Sequence, residues 1–439
     1  MAKNSWLTAV VADAQGQIFD LEGYAAVGVD GPTQVPLRID QTMALPHGGE
    51  LMYLPDRRPA VYDIRREEIV TLSCNPYATK EPLFPVAAFN SPGYVIAYTS
   101  AYQEQPGAGF LPLFSYAAVG WARGGFRSPV ILVDDEPRQD LRQMPREKIV
   151  AGVKRLRKAM PDNRLRAHLE KCALTYGCPA GKNFFLGRFE APLPTATTCN
   201  ARCLGCISDQ PEGEMPCSQE RIAFTPTPDE IAEVALHHIK HVKHAVVSFG
   251  QGCEGDPLLA ADTIAAAIAK IRAVTDQGTI NLNTNGSLPD RLERLVETGL
   301  DSVRISMNSV RPPFYDAYYR PKGYGFADVV AAVDLALSHR AHVAINYLNC
   351  PGFTDTPGER DALIAFLENH PLQMIQWRNL NFDPQRYLAA MNRVAPAGEP
   401  VGMQAMLEEI RRLFPKLAFG YFNPPKERYH AAIGIRGSR

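Results

Sequence analysis

Between residues 183 and 382 short apolar runs alternate with amphipathic helical stretches, and no other feature restricts the fold as tightly. The runs fall at 184–189, 245–249, 280–282, 303–307, 343–348 and 374–377, with no hairpin turns between them. Two of the intervening helices have well-marked starts. Thr227-Pro228-Asp229-Glu230 and Thr356-Pro357-Gly358-Glu359 each place a capping Thr, a Pro at the first helical position and a Glu at the third. Strand and helix recurring every ~30 residues imply parallel strands joined by right-handed helical crossovers. Six such units predict an α/β fold, an incomplete barrel of (β/α)6 type over 183–382.

The flanks read differently. Residues 1–145 are rich in Pro, Gly and aromatics, with short runs such as Ala9-Val10-Val11 and Tyr94-Val95-Ile96-Ala97-Tyr98 bounded by turn residues, which predicts a β-rich N-terminal domain. Residues 146–182 turn helical and basic, with Ile149, Val153, Leu156 and Met160 at helical spacing, and are expected to connect the two domains. Residues 383–439 form a short α/β extension, with a helix expected at 403–414 and a strand at 417–421.

Charge excludes some partners. With 46 basic and 47 acidic residues in 439, no overall field draws the chain to nucleic acid or an anionic membrane. No apolar run reaches the length of a membrane span, and residues 1–20 lack the apolar core of a signal peptide, so no membrane partner and a cytoplasmic location are expected. No Walker loop, G-x-S-x-G elbow or dinucleotide fingerprint is present.

Nine cysteines are too few and too unevenly placed to be a disulfide framework, whereas clustered cytosolic cysteines suggest metal. Cys199, Cys203 and Cys206 follow the first barrel run, in the loop at the C-terminal end of a strand where βα folds place their chemistry. Thiolates at these separations let one short loop wrap three corners of an iron–sulfur cube and leave its fourth iron without a protein ligand. The alternative from these residues alone is a closed zinc tetrahedron with Cys217 as the fourth ligand.

The C-x3-C-x2-C loop resembles that of the radical S-adenosylmethionine (SAM) superfamily, over roughly residues 183–380. The resemblance implies a [4Fe-4S] cluster whose open iron binds SAM, reductive cleavage of SAM to a 5′-deoxyadenosyl radical, and an electron donor such as flavodoxin or ferredoxin. After the second run, Glu254, Gly255, Asp256 and Pro257 occupy the places of the family's Gly-Gly-Glu-Pro segment, which contacts the SAM amino group. Glycine is replaced by Glu254 and the acid is shortened to Asp256, so either carboxylate is a candidate. Thr284-Asn285-Gly286 matches the family's turn after the third strand, and Ser306 and Asn308 end the fourth where the family contacts the SAM ribose and carboxylate. Asn346 and Arg378, late in strands five and six, are candidates for the barrel mouth. One departure is Gly205, where many family members carry an aromatic residue before the third cysteine.

The remaining cysteines leave alternatives open. Cys172, Cys178 and Cys217 read as buried or free thiols or as ligands of a second iron–sulfur cluster, with Cys253 or an external molecule completing it. Cys253 alone is a candidate hydrogen-atom donor or covalent acceptor. His237 and His241 have metal-binding spacing but read better as a solvated helix end. The basic run Lys154-Arg155-Leu156-Arg157-Lys158 with Arg164 and Arg166 makes RNA one substrate reading, beside a peptide or protein and a small metabolite. A non-catalytic iron–sulfur or zinc scaffold differs from all of these in needing no SAM pocket.

Overall fold

The computed structural model describes residues 5–211 and 215–429. Its N-terminal part is all antiparallel sheet, built around the 13-residue strand Ile18–Asp30, which pairs with Thr8–Ala12, Thr33–Pro36 and Arg57–Asp63. Val10, Ala12, Val86, Ala88 and Ala117 pack as one of its apolar clusters, using alternate residues of each strand. Among the described residues, no helix is long and apolar enough to cross a membrane.

Three connector helices follow: α1 (Arg146–Ala159), α2 (Arg164–Leu174) and α3 (Pro179–Leu186). The apolar run at 184–189, expected as the first barrel strand, is instead the end of α3. Pro179 presets the first turn, and Gly187 ends the helix in the left-handed region at φ 66°. Phe184 and Phe185 are buried there, and Gly152 of α1 lets the Phe185 carbonyl approach so closely that a Cβ would sit 2.0 Å from it. A short apolar run has no period of its own, so packing against α1 decided its state.

The barrel sheet then runs β1 (Glu190–Pro192), β2 (Val246–Phe249), β3 (Thr279–Thr284), β4 (Ser302–Met307), β5 (His342–Asn349), β6 (Met374–Asn379) and β7 (Ala418–Gly420). All are parallel and neighbours in chain order, with β1 and β7 at the two edges. The segment expected at 417–421 thus adds a seventh strand. Between the strands lie α4 (Pro228–His241), α5 (Ala261–Arg272), α6 (Pro289–Thr298), α7 (Pro312–Tyr319), α8 (Phe326–Ser338), α9 (Pro357–Asn369), α10 (Pro384–Asn392) and α11 (Met403–Leu413). Thr227 caps α4 with the reciprocal Thr–Glu230 box.

Strand alternation sorts the barrel into two faces. Val303, Ile305 and Met307 are buried in the apolar cluster shared with Val329, Ala332 and Val333 of α8. Arg304 and Ser306, one position out of phase, therefore face the interior. The N-terminal domain closes on the mouth above β5 and β6. Asn349 donates to the Ile96 carbonyl at 2.9 Å, and Asn379 accepts from the Ile96 amide at 2.9 Å and donates to the Tyr94 carbonyl at 2.8 Å. Gly31 and Gly352 meet so tightly that a Cβ on Gly352 would lie 1.7 Å from the Gly31 nitrogen.

Candidate functional site

After β1 the chain crosses the C-terminal mouth of the barrel as the cysteine loop. Its backbone is stitched to α7, with Arg202 N donating to Tyr319 O at 2.9 Å and Leu204 N to Tyr318 O at 3.0 Å. Asn200, between the first two cysteines, accepts from Asn285 Nδ2 at 2.8 Å and donates to Ser287 Oγ at 2.9 Å, tying the loop to the turn after β3. Cys199, Cys203 and Cys206 are all half-buried. Burial pushes the Cys199 thiol up to about 11, helped by the Asp256 charge, and pushes Cys203 well above the ordinary value, helped by the two neighbouring thiols. Buried thiols that resist ionising, as Cys199 and Cys203 do, are donors a cationic centre would deprotonate.

Spacing separates the two metal readings. A single tetrahedral zinc draws its thiolates to roughly 3.8 Å of one another, whereas the ligands of a cube each sit outboard of a different iron. The three loop thiols form no compact group within 4.8 Å, and Cys217 is exposed. The donors are too spread for one ion and leave the cube as the reading. The surroundings fit it too: Arg221 Nη2 lies 3.8 Å from the Cys206 sulfur. At Gly205 a Cβ would meet Tyr318 Oη at 3.0 Å and Phe382 Cβ at 3.3 Å, so rings from α7 and the β6 exit supply the bulk that the loop itself lacks there.

The turn after β2 packs directly under the loop. Glu254 is buried, and its two carboxylate oxygens accept from four backbone amides: Thr195 at 2.7 Å, Ala196 at 2.9 Å, and Gly250 and Gln251 at 2.7 Å each. Burial raises its carboxyl to about 7 even so. Losing this side chain would leave buried amides unpaired at roughly 1–3 kcal/mol each. Glu254 is thus a brace between the exits of β1 and β2. Asp256, raised by burial to about 6, accepts from Thr284 Oγ1, from Asn285 N at 2.7 Å and from Leu258 N at 3.0 Å. Gly255 faces the Thr198 carbonyl, where a Cβ would overlap at 1.8 Å.

The remaining expected residues divide. Asn346 Nδ2 donates to Ser306 Oγ at 3.3 Å across β4 and β5, and both are half-buried on the interior face. Arg378 stacks over the Tyr421 ring at 4.4 Å. Asn308 is fully buried and joins none of these, its Nδ2 donating to Phe314 O at 3.1 Å and Tyr387 Oη at 3.2 Å, which ties the end of β4 to α7 and α10. The sequence reading passed over Arg304. Burial, then the Arg378 charge, lowers its guanidinium to about 9; it bonds Gln376, and its Nε has no partner. Neither arginine forms an ion pair among the described residues. The Val-Arg-Ile-Ser alternation was the visible signal that this charge points inward.

The cysteines outside the loop regroup. Cys172 and Cys253 lie together with His168, while exposed Cys217 is outside that group. The bond from the Cys253 thiol, then the His168 ring, pulls the Cys172 thiol down, and the same bond raises Cys253. Burial, with a smaller part from the Cys172 charge, raises the Cys178 thiol. The His237 and His241 rings lie tilted with centroids 4.3 Å apart at the C-terminal end of α4, with His241 Nδ1 2.7 Å from the His237 carbonyl. The basic helical run is compensated in part: Arg157 and Arg166 pair with Glu170, and Arg164 pairs with Glu230 at 2.7 Å.

Residues 193–367 match the family model of the radical SAM superfamily, and this segment of the chain is a radical SAM domain. More particularly, the chain is similar to the GTP 3',8-cyclase of Chlorobaculum tepidum, 26% identical over 202 residues that cover 43% of this chain and 56% of that protein. It is also similar to the probable GTP 3',8-cyclase of Methanocella arvoryzae, 29% identical over 187 residues, 42% of this chain and 55% of the relative. The chain thus spans little more than half the length of these relatives. Among solved structures it is similar to HydG, a maturase of the [FeFe]-hydrogenase, with TM-score 0.38 and 16% identity over 63% of this chain and 67% of that one.

Proposed function

We propose that the chain is a radical SAM enzyme acting on a small anionic substrate held inside the barrel. Cys199, Cys203 and Cys206 would hold the [4Fe-4S] cluster, which supplies the electron that cleaves SAM to the hydrogen-abstracting 5′-deoxyadenosyl radical. The observation that carries the substrate class is Arg304: a cation on the interior face with an orphaned Nε, next to a second arginine, and no carboxylate in ion-pair range among the described residues. Two neighbouring guanidinium groups without a direct ion pair are stabilised by a bound anion, and phosphate or carboxylate suits their forked geometry.

The chain's own residues then have distinct tasks. Asn200, Asn285 and Ser287 fix the cysteine loop over the mouth; Asp256 holds the β3 turn and, by analogy with the family's arrangement, would face the SAM amino group. Ser306 and Asn346 offer hydroxyl and amide groups on the interior face, and Arg304 and Arg378 orient the substrate. A one-electron donor of the flavodoxin or ferredoxin type would approach the half-exposed loop, and a reducing compartment such as the cytoplasm suits nine free thiols. The relatives are named for a reaction on GTP, an anion of the class these arginines suit, so GTP is the first substrate to test.

The test uses reconstituted protein under strong reductant, with 5′-deoxyadenosine as the readout. GTP, or another phosphate-bearing substrate, is expected to accelerate its formation. Arg304→Gln and Arg378→Gln are each expected to raise the KM for that substrate roughly tenfold or more, the loss of a charge-assisted bond, while leaving substrate-free SAM cleavage nearly unchanged. Acceleration that is insensitive to both substitutions would remove the anion reading.

A further inference from the structure

Helix α2 places His168 and Cys172 one turn apart, so both side chains stand on one face. Cys253 reaches that face from the turn after β2. The ligand atoms of all three lie within 4.8 Å of one another, with His168 Nε2 3.5 Å from the Cys172 sulfur. Among the described residues this is the compact group of metal-type donors, and it lies outside the cysteine loop. Cys172 and Cys253 are 1% and 4% exposed, so the cluster sits within the protein with only the imidazole partly open to solvent.

We propose that His168, Cys172 and Cys253 bind a single divalent transition-metal ion, with zinc the best match, separate from the iron–sulfur cluster. The geometry separates this from a second cube. Zn–S bonds of ~2.3 Å and Zn–N bonds of ~2.0–2.1 Å set tetrahedral donor separations of about 3.6 Å for nitrogen to sulfur and about 3.8 Å for sulfur to sulfur. The observed 3.5 Å contact matches the first of these. Two thiolates and one imidazole balance the ion's charge, and the fourth position falls to water.

The ion would tie the connector to the site. Cys253 precedes Glu254, whose carboxylate braces the exits of β1 and β2, so a metal bridging α2 and this turn holds the floor under the cysteine loop. The site stands on its own donors and does not depend on the proposed reaction.

The test is metal content and thiol protection in the full-length chain. Protein carrying Cys203→Ala, which disables the loop, is expected to keep about one equivalent of zinc through gel filtration, while Cys253→Ser and His168→Asn in the same background lower retention at least tenfold. Because either variant could misfold, the unsubstituted chain supplies a second readout: zinc should slow alkylation of Cys172 and Cys253 at least tenfold relative to Cys217. Cobalt in place of zinc should give the intense visible bands of a tetrahedral thiolate site. Zinc retention unchanged by Cys253→Ser, alkylation rates indifferent to zinc, a Cys172–Cys253 disulfide in anaerobically prepared protein, or sulfide accompanying iron at these residues would each overturn the assignment.

Discussion

Gly255→Ala is expected to abolish cluster incorporation almost entirely, although the substitution adds one methyl group. That methyl would sit 1.8 Å from the Thr198 carbonyl oxygen, 2.3 Å from its carbon and 2.9 Å from its nitrogen. These are backbone atoms, so no rotamer change relieves the overlap. Gly255 N already donates to Ala196 O at 2.7 Å and Asp256 N to Thr198 O at 3.0 Å, so the two segments cannot part without breaking the bonds that align them. Overpacking of this kind costs about 1–3 kcal/mol or more, and here the strain falls on the residue before Cys199. Iron bound after anaerobic reconstitution should fall by about tenfold or more, with a lower melting temperature. Gly109→Ala, where an added Cβ meets nothing within 4 Å, should behave as the unsubstituted protein.

Cys203→Ala is the second large effect. Burial holds the Cys203 proton, with both neighbouring thiols adding to the cost of ionising it without a metal. Removing this thiol takes away one corner of the cube. Formation of 5′-deoxyadenosine should drop on the order of a hundredfold or more, to the background of reductant alone. Cys217→Ala should retain activity, because its thiol is exposed and outside the loop. A closed zinc tetrahedron would reverse that contrast by making Cys217 as necessary as Cys203.

Much of the barrel was legible because its physics is local. Strands β2 to β6 appear as apolar runs, and Thr227-Pro228 announces α4 through its own capping geometry. The cysteine loop was legible because its donors are contiguous in the chain. Residues 184–189 were misread because a six-residue apolar run looks alike in a strand and a buried helix, and only the contact of Phe185 with Gly152 distinguishes them. Glu254 illustrates the same limit at the site. As a residue type it suggested a contact to SAM; its role as a brace depends on amides from Thr195 and Ala196, far away in sequence. His168, Cys172 and Cys253 likewise become neighbours only once α2 packs beside the barrel. Arg304 was readable in principle, since its place in an alternating strand already set the direction of its side chain.

The measurement that bears most directly on the central claim is electron paramagnetic resonance of the reduced, anaerobically reconstituted protein with and without SAM. A loop of three thiols that leaves one iron open predicts a cluster signal that shifts when SAM is added and is missing from Cys203→Ala. A signal that SAM leaves unmoved, or one that persists without Cys203, would contradict it.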